Sequence, residues 1–432
     1  MTASRPRAVV ISIDGFAAFY WRDAAARLPT LRRLAERGAV AAGVETVFPS
    51  TTWPTHVSLV TGVLPRVHGV VGNHVLNRAT DEAEDLTGDP IYDAADLIRV
   101  PTFYDRAHAA GLRVAAVDWP ATRHAASLAF NLPFFKDQRV FETQTAPAVW
   151  RELASLGYPM DRQGEWAQLP KRFLKDAMVA DVAAHVIHRH APDVLMVHLL
   201  CADSLQHLHG PRSPEAYWAL EYVDERIGRI LSALPDPAAT NVFVVSDHGF
   251  LPVTRESRPN VRLRALGLLD VDAAGRIARA EARVVMNHGA AYVYVRPGAA
   301  HDRTVRDVAA ELAKAPGVAA VWRAEDYAGL GLPTPAEHRQ VGDLLIEAVE
   351  GYLFVDAATG DEDTDRPHHR GTHGQRGVHP DNHAFFAASG PGVRRGLELP
   401  IIRSRDIAPT IATTLGVDMP GVEGRVLSEI LA

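Results

Sequence analysis

Asp203 and His207 stand four residues apart, a spacing that on a helix brings both side chains to one face and within reach of a single ion. In a chain with 20 histidines such a pair carries little weight alone. Groups of the same kind recur after other apolar runs: Asp14 after Ala8 to Ile13, Asp247-His248 after Val242 to Val245, and His373 between two glycines. Asp247 and His248 would point apart in a strand, but in a turn they can share an ion. Singly, Asp14 reads as an Asx turn or helix cap, and His373 as an exposed loop residue. Together, three carboxylates and three imidazoles without a thiolate are nearly the donor set of an open two-zinc site with mixed oxygen and nitrogen ligands. A further polar group comes from Phe48-Pro49-Ser50-Thr51-Thr52-Trp53-Pro54-Thr55-His56. By itself this stretch is a helix start with a hydroxyl cap. Beside a divalent ion, a threonine hydroxyl there would ionise near neutral pH and become a nucleophile. Two such ions about 4 Å apart can clamp the attacking and leaving oxygens of a phosphoryl displacement.

The elements that must position these groups are legible as alternating periods. Ala8 to Ile13, Arg113 to Val117, Val194 to Leu200 and Val242 to Val245 are short β-rich apolar runs. Between runs of this kind, stretches such as Thr30 to Gly38 and Tyr217 to Leu234 return apolar residues every three or four positions. This alternation predicts an α/β fold, a mostly parallel sheet flanked by helices on both faces. Ligands of open α/β sheets lie beyond the carboxyl ends of the strands, so the three clusters that follow strands should face one crevice. Residues 251–370 change texture, with a strand candidate at Ala291 to Val295, a helix near Thr304 to Ala315 and a turn-rich Asp361 to Arg370. They read as an inserted α+β cap between two parts of one core, 1–250 and 371–432. Ala384 to Ala388 is expected as a strand of the resumed core, and Asp406 to Leu415 as a last helix with Gly416 as its C-cap.

At 432 residues and 47% apolar content the chain can bury a large core. A formal charge of -7 with interspersed signs argues against a nucleic-acid polymer as partner, although not against a phosphorylated small molecule held by cations. The single cysteine, Cys201, excludes an internal disulfide. The polar Met1 to Arg7 lacks the features of a secretory signal, and no run approaches a membrane span, so a cytoplasmic location without membrane contact is expected. The oligomeric state is left open.

In order along nearly the whole chain stand Ser12-Ile13-Asp14-Gly15, Phe48 to His56, Leu59-Val60-Thr61-Gly62, His68-Gly69-Val70-Val71-Gly72-Asn73, Trp119-Pro120, Asp203 to His207, Ser246-Asp247-His248-Gly249, Thr372-His373-Gly374 and Asp406-Ile407-Ala408-Pro409-Thr410. In these the chain resembles the alkaline phosphatase superfamily and, within it, the nucleotide pyrophosphatase/phosphodiesterase family. The resemblance implies an alkaline-phosphatase-like core and two divalent metal ions, zinc with manganese as the alternative. It places Asp203, His207 and His373 on one ion, and Asp14, Asp247 and His248 on the other, with Thr52 bridging toward the second. The family's Phe-Pro-x-x-Thr-x-Pro-x-His pattern selects Thr52 over Thr51 as the nucleophile, which would carry a covalent phosphothreonine. Asn73 matches the asparagine whose amide steadies phosphoryl charge. The implied reaction is hydrolysis of phosphodiester or pyrophosphate bonds in a nucleotide-like or other small ester.

Trp53 and Thr55 depart from the residues many members carry, and histidine is unusually frequent around His373. His368, His369, His379 and His383 are expected to be solvated loop residues. Phosphonoacetate hydrolases and phosphomonoesterases of the same superfamily remain alternatives. The former would need a cation for the substrate carboxylate, for which Lys136 and Arg123 are candidates, although both read more simply as surface cations. Cys201 does not fit the Cys-x-Pro-x-Arg motif of sulfatases and reads as a small buried residue. A non-catalytic binding module is disfavoured by the completeness of the ligand set. Specificity is expected in 251–370 and in Asn131 to Gly164.

Overall fold

The computed structural model describes residues 7–87 and 92–432, so the reading of the first six residues lies outside it. The first strands are β1 (Arg7–Ile13), β2 (Gly38–Ala41), β3 (Val114–Val117), β4 (Leu128–Leu132), β5 (Val194–Leu199) and β6 (Thr240–Val245). A second sheet follows, of β7 (Ala282–Asn287), β8 (Ala290–Val295), β9 (Val318–Arg323) and β10 (Leu344–Ala348), before β11 (Phe386–Ser389) and β12 (Leu397–Leu399) return to the first. The large sheet has eight strands in the order β12-β2-β11-β6-β1-β5-β3-β4. From β6 to β4 every neighbouring pair is parallel. Strands of this kind are covered on both faces, and every residue of β5 and β6 is buried.

Helices α1 (Pro29–Glu36), α2 (Thr52–Thr61), α3 (Phe103–Ala109), α4 (Arg172–His190), α5 (Cys201–His209), α6 (Pro214–Ser232) and α7 (Ile407–Thr414) supply most of the cover. Leu31 and Leu34 of α1, Val182 of α4, and Val223 and Ile227 of α6 pack on one face with Val197 and Val244. Leu59 and Val60 of α2, Phe103 of α3, and Ile407 and Ile411 of α7 pack on the other with Met196 and Val245. Each such side chain stabilises the fold by about 1.5–3 kcal/mol on full burial. This is the expected α/β class, with helices on both faces of a mostly parallel sheet.

Two details differ from the sequence reading. Apolar period says nothing of direction, and β11 runs antiparallel to both β6 and β2. The helix read as Tyr217 to Leu234 begins earlier, at Pro214, because Ser213 accepts the Ala216 N–H and Pro214 suits the first turn. The last helix is Ile407–Thr414, and Gly416 beyond it has φ +69°. The second sheet is antiparallel throughout. Among the described residues no helix is long and apolar enough to cross a membrane.

The register fixes the crevice. Ile13 lies beside Leu199, and Ser12 beside Val245, so β1, β5 and β6 end together. Nearby, α4 is tied to the end of β3 by Lys175 Nζ and Asp118 Oδ1, 3.0 Å apart, whose side chains are 1% and 2% exposed. Burial pushes the Asp118 carboxyl up, opposed by the Lys175 charge. Lys175→Met therefore strands a buried carboxylate, and urea unfolding should show a loss of about 3–5 kcal/mol, with a smaller loss when Asp118→Asn is added. A single variant as stable as the parent would show that the pair does not hold α4.

Candidate active site

Asp14 leaves the end of β1 directly. After β5 the chain turns into α5, whose opening amides, Leu200 N–H and Cys201 N–H, donate to the two oxygens of Asp176 on α4. Burial pushes Asp176 up to about 7 despite those bonds. Asp203 and His207 then lie one turn apart on α5, as the four-residue spacing predicts. Asp247 and His248 occupy the loop after β6. His373 follows the short strand Gly371–Thr372, which pairs with Leu251 and Pro252, while the Arg370 N–H donates to His207 O at 2.7 Å. Thr52 opens α2. Asp14, Thr52, Asn73, Asp203, His207 and His373 line one cavity of about 270 Å³, with Asp247 and His248 buried behind it.

All the donors but Asp14 share one arrangement: one polar end is tied to the protein and the other faces the cluster. Asp203 Oδ2 accepts from Arg172 at 3.0 Å, while Oδ1 lies 3.1 Å from His207 Nε2 and 3.9 Å from His373 Nε2. Asp247 Oδ1 accepts the Gly15 and His248 N–H groups, leaving Oδ2 3.3 Å from His248 Nε2. Asp14 Oδ2 is 3.3 Å from His198 Nε2, and its Oδ1 is 3.3 Å from His248 Nε2. Nδ1 of His207, His248 and His373 sits 3.0, 3.1 and 2.9 Å from the carbonyls of Gly371, Gly249 and Ser50. A carbonyl only accepts, so the network assigns the proton to each Nδ1 and a lone pair to each Nε2.

Lone pairs therefore face carboxylate oxygens, which repels unless a cation lies between them. Asp14 Oδ1, Asp247 Oδ2 and His248 Nε2 are buried without a hydrogen-bond partner, and their donor atoms fall within 4.8 Å of one another. Asp203, His248 and His373 form a second group of that size. Burial, then the charges of Asp247 and Asp203, push the Asp14 carboxyl far up, and burial with His248 and His207 pushes His373 far down. Orphaned donors and unbalanced negative charge fit divalent cations.

Thr52 is not the capped helix start the hydroxyl row suggests. Neither threonine caps α2 through its side chain; Thr51 is fully buried with its hydroxyl unpartnered, whereas Thr52 is 8% exposed and faces the cavity. The free Trp53 N–H at the helix start donates instead to Asn73 Oδ1 at 2.8 Å. That bond leaves the Asn73 amino group as the end available to a ligand.

Several site residues escape the sequence reading. Arg172, His198 and His288 line the cavity, and only His198, a histidine inside the apolar run of β5, carried a local signal. His369 is not a solvated loop residue: its Nδ1 is 3.3 Å from that of His207, and burial with the His207 charge pushes it down to about 4. His368 is exposed on Glu256, and His379 and His383 are part-buried away from the cavity. Lys136 is no mere surface cation, since it lines the cavity, bonded to Thr87 at 2.7 Å and paired with Asp85. Arg123 pairs with Asp93 instead. Cys201 is buried at the start of α5.

The model of the family described as type I phosphodiesterase / nucleotide pyrophosphatase matches residues 8–376. The chain belongs to this family. As a type I phosphodiesterase family member it is 26% identical over 251 residues to human ectonucleotide pyrophosphatase/phosphodiesterase family member 1, covering 56% of this chain and 23% of the relative. It is 27% identical over 256 residues to an uncharacterised pyrophosphatase/phosphodiesterase of Schizosaccharomyces pombe, covering 57% of this chain and 45% of the relative. The family member thus spans less than half the length of these curated relatives. Murine ectonucleotide pyrophosphatase/phosphodiesterase 5 superposes with a TM-score of 0.72 at 19% identity, covering 99% of this chain and 100% of that one. A threonine-to-alanine variant of the murine protein, described as inactive and in complex with AMP, superposes equally well at 18% identity. At such identities the likeness is one of fold.

Removing divalent ions from this family member by chelation should lower its melting midpoint, and returning Zn2+ should restore it in a concentration-dependent way. Asp247→Ala should abolish most of that response. A midpoint indifferent to chelation and zinc would count against a metal at these donors.

Proposed function

We propose that the chain is a two-metal hydrolase of phosphodiester or pyrophosphate bonds in small nucleotide-like esters, acting through a phosphothreonine on Thr52. The observation that carries this reading is the set of half-committed donors around a threonine hydroxyl at a helix start. Asp203, His207 and His373 would hold one divalent ion, and Asp14, Asp247 and His248 the other together with Thr52. Oxygen and imidazole donors without thiolate suit zinc, with manganese as the alternative. When bound, such ions lower the proton affinity of a coordinated hydroxyl and neutralise phosphoryl charge.

The chain's own groups supply the rest. Thr52 Oγ1 forms a bond to phosphorus as the bond to the leaving oxygen breaks; water then attacks the phosphothreonine, and the Thr52 oxygen departs. The Asn73 amino group faces the charge that grows on the phosphoryl oxygens. The start of α2 favours the same negative charge through its oriented peptide groups. Lys136 lines the cavity with its charge balanced by Asp85, and its remaining N–H can donate to a further oxygen of the substrate. The AMP complex of the murine relative supports a nucleotide-like ligand.

Thr52→Ala should lower kcat on bis(p-nitrophenyl) phosphate on the order of 10³-fold or more while metal content stays at the parent level. Near-normal turnover in that variant would sink the covalent mechanism. Rates on a diester, a monoester and phosphonoacetate, measured side by side, should rank the diester first; a preference for phosphonoacetate would reassign Lys136 to a carboxylate and the enzyme to carbon–phosphorus cleavage.

A further inference from the structure

The turn between β7 and β8, in the second sheet, reaches over the cavity. His288 in that turn adopts φ +62°, uncommon for a residue with a side chain. Its ring lies 4.3 Å from that of His373 and 5.0 Å from that of His207, centroid to centroid. On either side of it the turn is bonded into the site. Asn287 is fully buried; its Oδ1 accepts the N–H of Asn73 at 2.8 Å and of His74 at 3.1 Å, and its Nδ2 donates to His74 O at 2.8 Å. Gly289 donates its N–H to His373 O at 2.7 Å. The approach requires glycine at Gly374, whose φ is +104° and where a Cβ would run into Asn287 O.

Followed onward, these bonds close a circuit. Asn73 Oδ1 accepts from Trp53 N–H, and Trp53 is joined through Thr52 and Thr51 to Ser50. Ser50 O accepts from His373 Nδ1, and Ser50 N–H donates to Gly374 O at 3.3 Å. His373 returns to Gly289 and hence to Asn287. The nucleophile, the phosphoryl-facing amide and one metal-facing imidazole are thus bonded into one ring, closed by a hairpin from outside the large sheet.

We propose that Asn287 is a positioning residue for Asn73, an inference that rests on the role given to Asn73 above. The Asn73 side chain is oriented by two anchors, Trp53 N–H on its own Oδ1 and Asn287 on its main chain. Truncating Asn287 removes three hydrogen bonds from Asn73 and His74 and leaves two main-chain N–H groups without their partner. The Asn73 amino group then no longer has a fixed direction relative to Thr52.

The test is a double-mutant cycle on bis(p-nitrophenyl) phosphate, with metal content and melting midpoint measured for every variant. Asn287→Ala should lower kcat about 10- to 100-fold, the loss expected of a catalytic group displaced by an ångström or so, with KM changed far less. Adding it to Asn73→Ala should cost nothing further, because the two residues act as one unit. Asn287→Ser, which keeps a polar atom in the space and serves if the alanine variant does not fold, should show the same non-additive pattern with a smaller loss. Single losses that multiply in the double variant, or parent kcat in both Asn287 variants, overturn the inference. Parent kcat in Asn73→Ala overturns the role of Asn73 itself, and this inference with it.

Discussion

Each polar side chain in the cluster has two ends, and the fold uses one to aim the other. The three imidazoles give Nδ1 to main-chain carbonyls, Asp203 commits one oxygen to Arg172 and Asp247 one to backbone amides, while Asp14 faces imidazole Nε2 atoms with both oxygens. What remains is a shell of lone pairs and negative oxygens pointed at one another. No arrangement of protein atoms alone makes that favourable, since orphaned buried acceptors are destabilising by about 1–3 kcal/mol each. It persists only where surrounding packing over-determines it, and here β1, β5 and β6, in strict register and buried on both faces, provide that packing.

The same logic explains why the threonine row does not behave as an ordinary helix start. A capping hydroxyl is committed to the helix and is a poor nucleophile. By drawing the Trp53 amide to Asn73, the fold satisfies the start of α2 from outside, without a hydroxyl of the cap residue Thr51, while Thr52, the first helical residue, faces the cavity. On the proposed mechanism that bond orients the amide that meets the developing charge.

The sheet and five of the six candidate donors were legible because Asp14, Asp247 and His248 follow apolar runs and Asp203 and His207 lie within one helical turn, so a local pattern reports a spatial fact; His373, in a loop, has no such pattern and was placed at an ion only by the resemblance. The residues behind them were not. Arg172 lies at the start of a helix whose period is ordinary, and its meaning comes from Asp203, thirty-one positions on. His288 and Asn287 sit in a hairpin turn that reads as any other turn, and His369 in a stretch whose polarity suggests solvent. Polarity signals exposure only on average, and a cavity lined with imidazoles inverts that rule. The direction of β11 was illegible for another reason: a buried strand has the same composition either way round.

Such a division has a consequence for how the two sheets can vary. If the second sheet were only a lid for recognising the rest of the substrate, its loops could drift without disturbing the large sheet's edge. Instead its β7–β8 turn is held by a glycine-only approach at Gly374, and it bonds both the Asn73 segment and the His373 segment. Movement of that turn would be felt at the helix start and at the His373 imidazole together. Substrate preference is therefore free to change along the cavity's outer wall, at Phe134, Lys136, Leu169 or Met286, while the turn itself is bound to the chemistry.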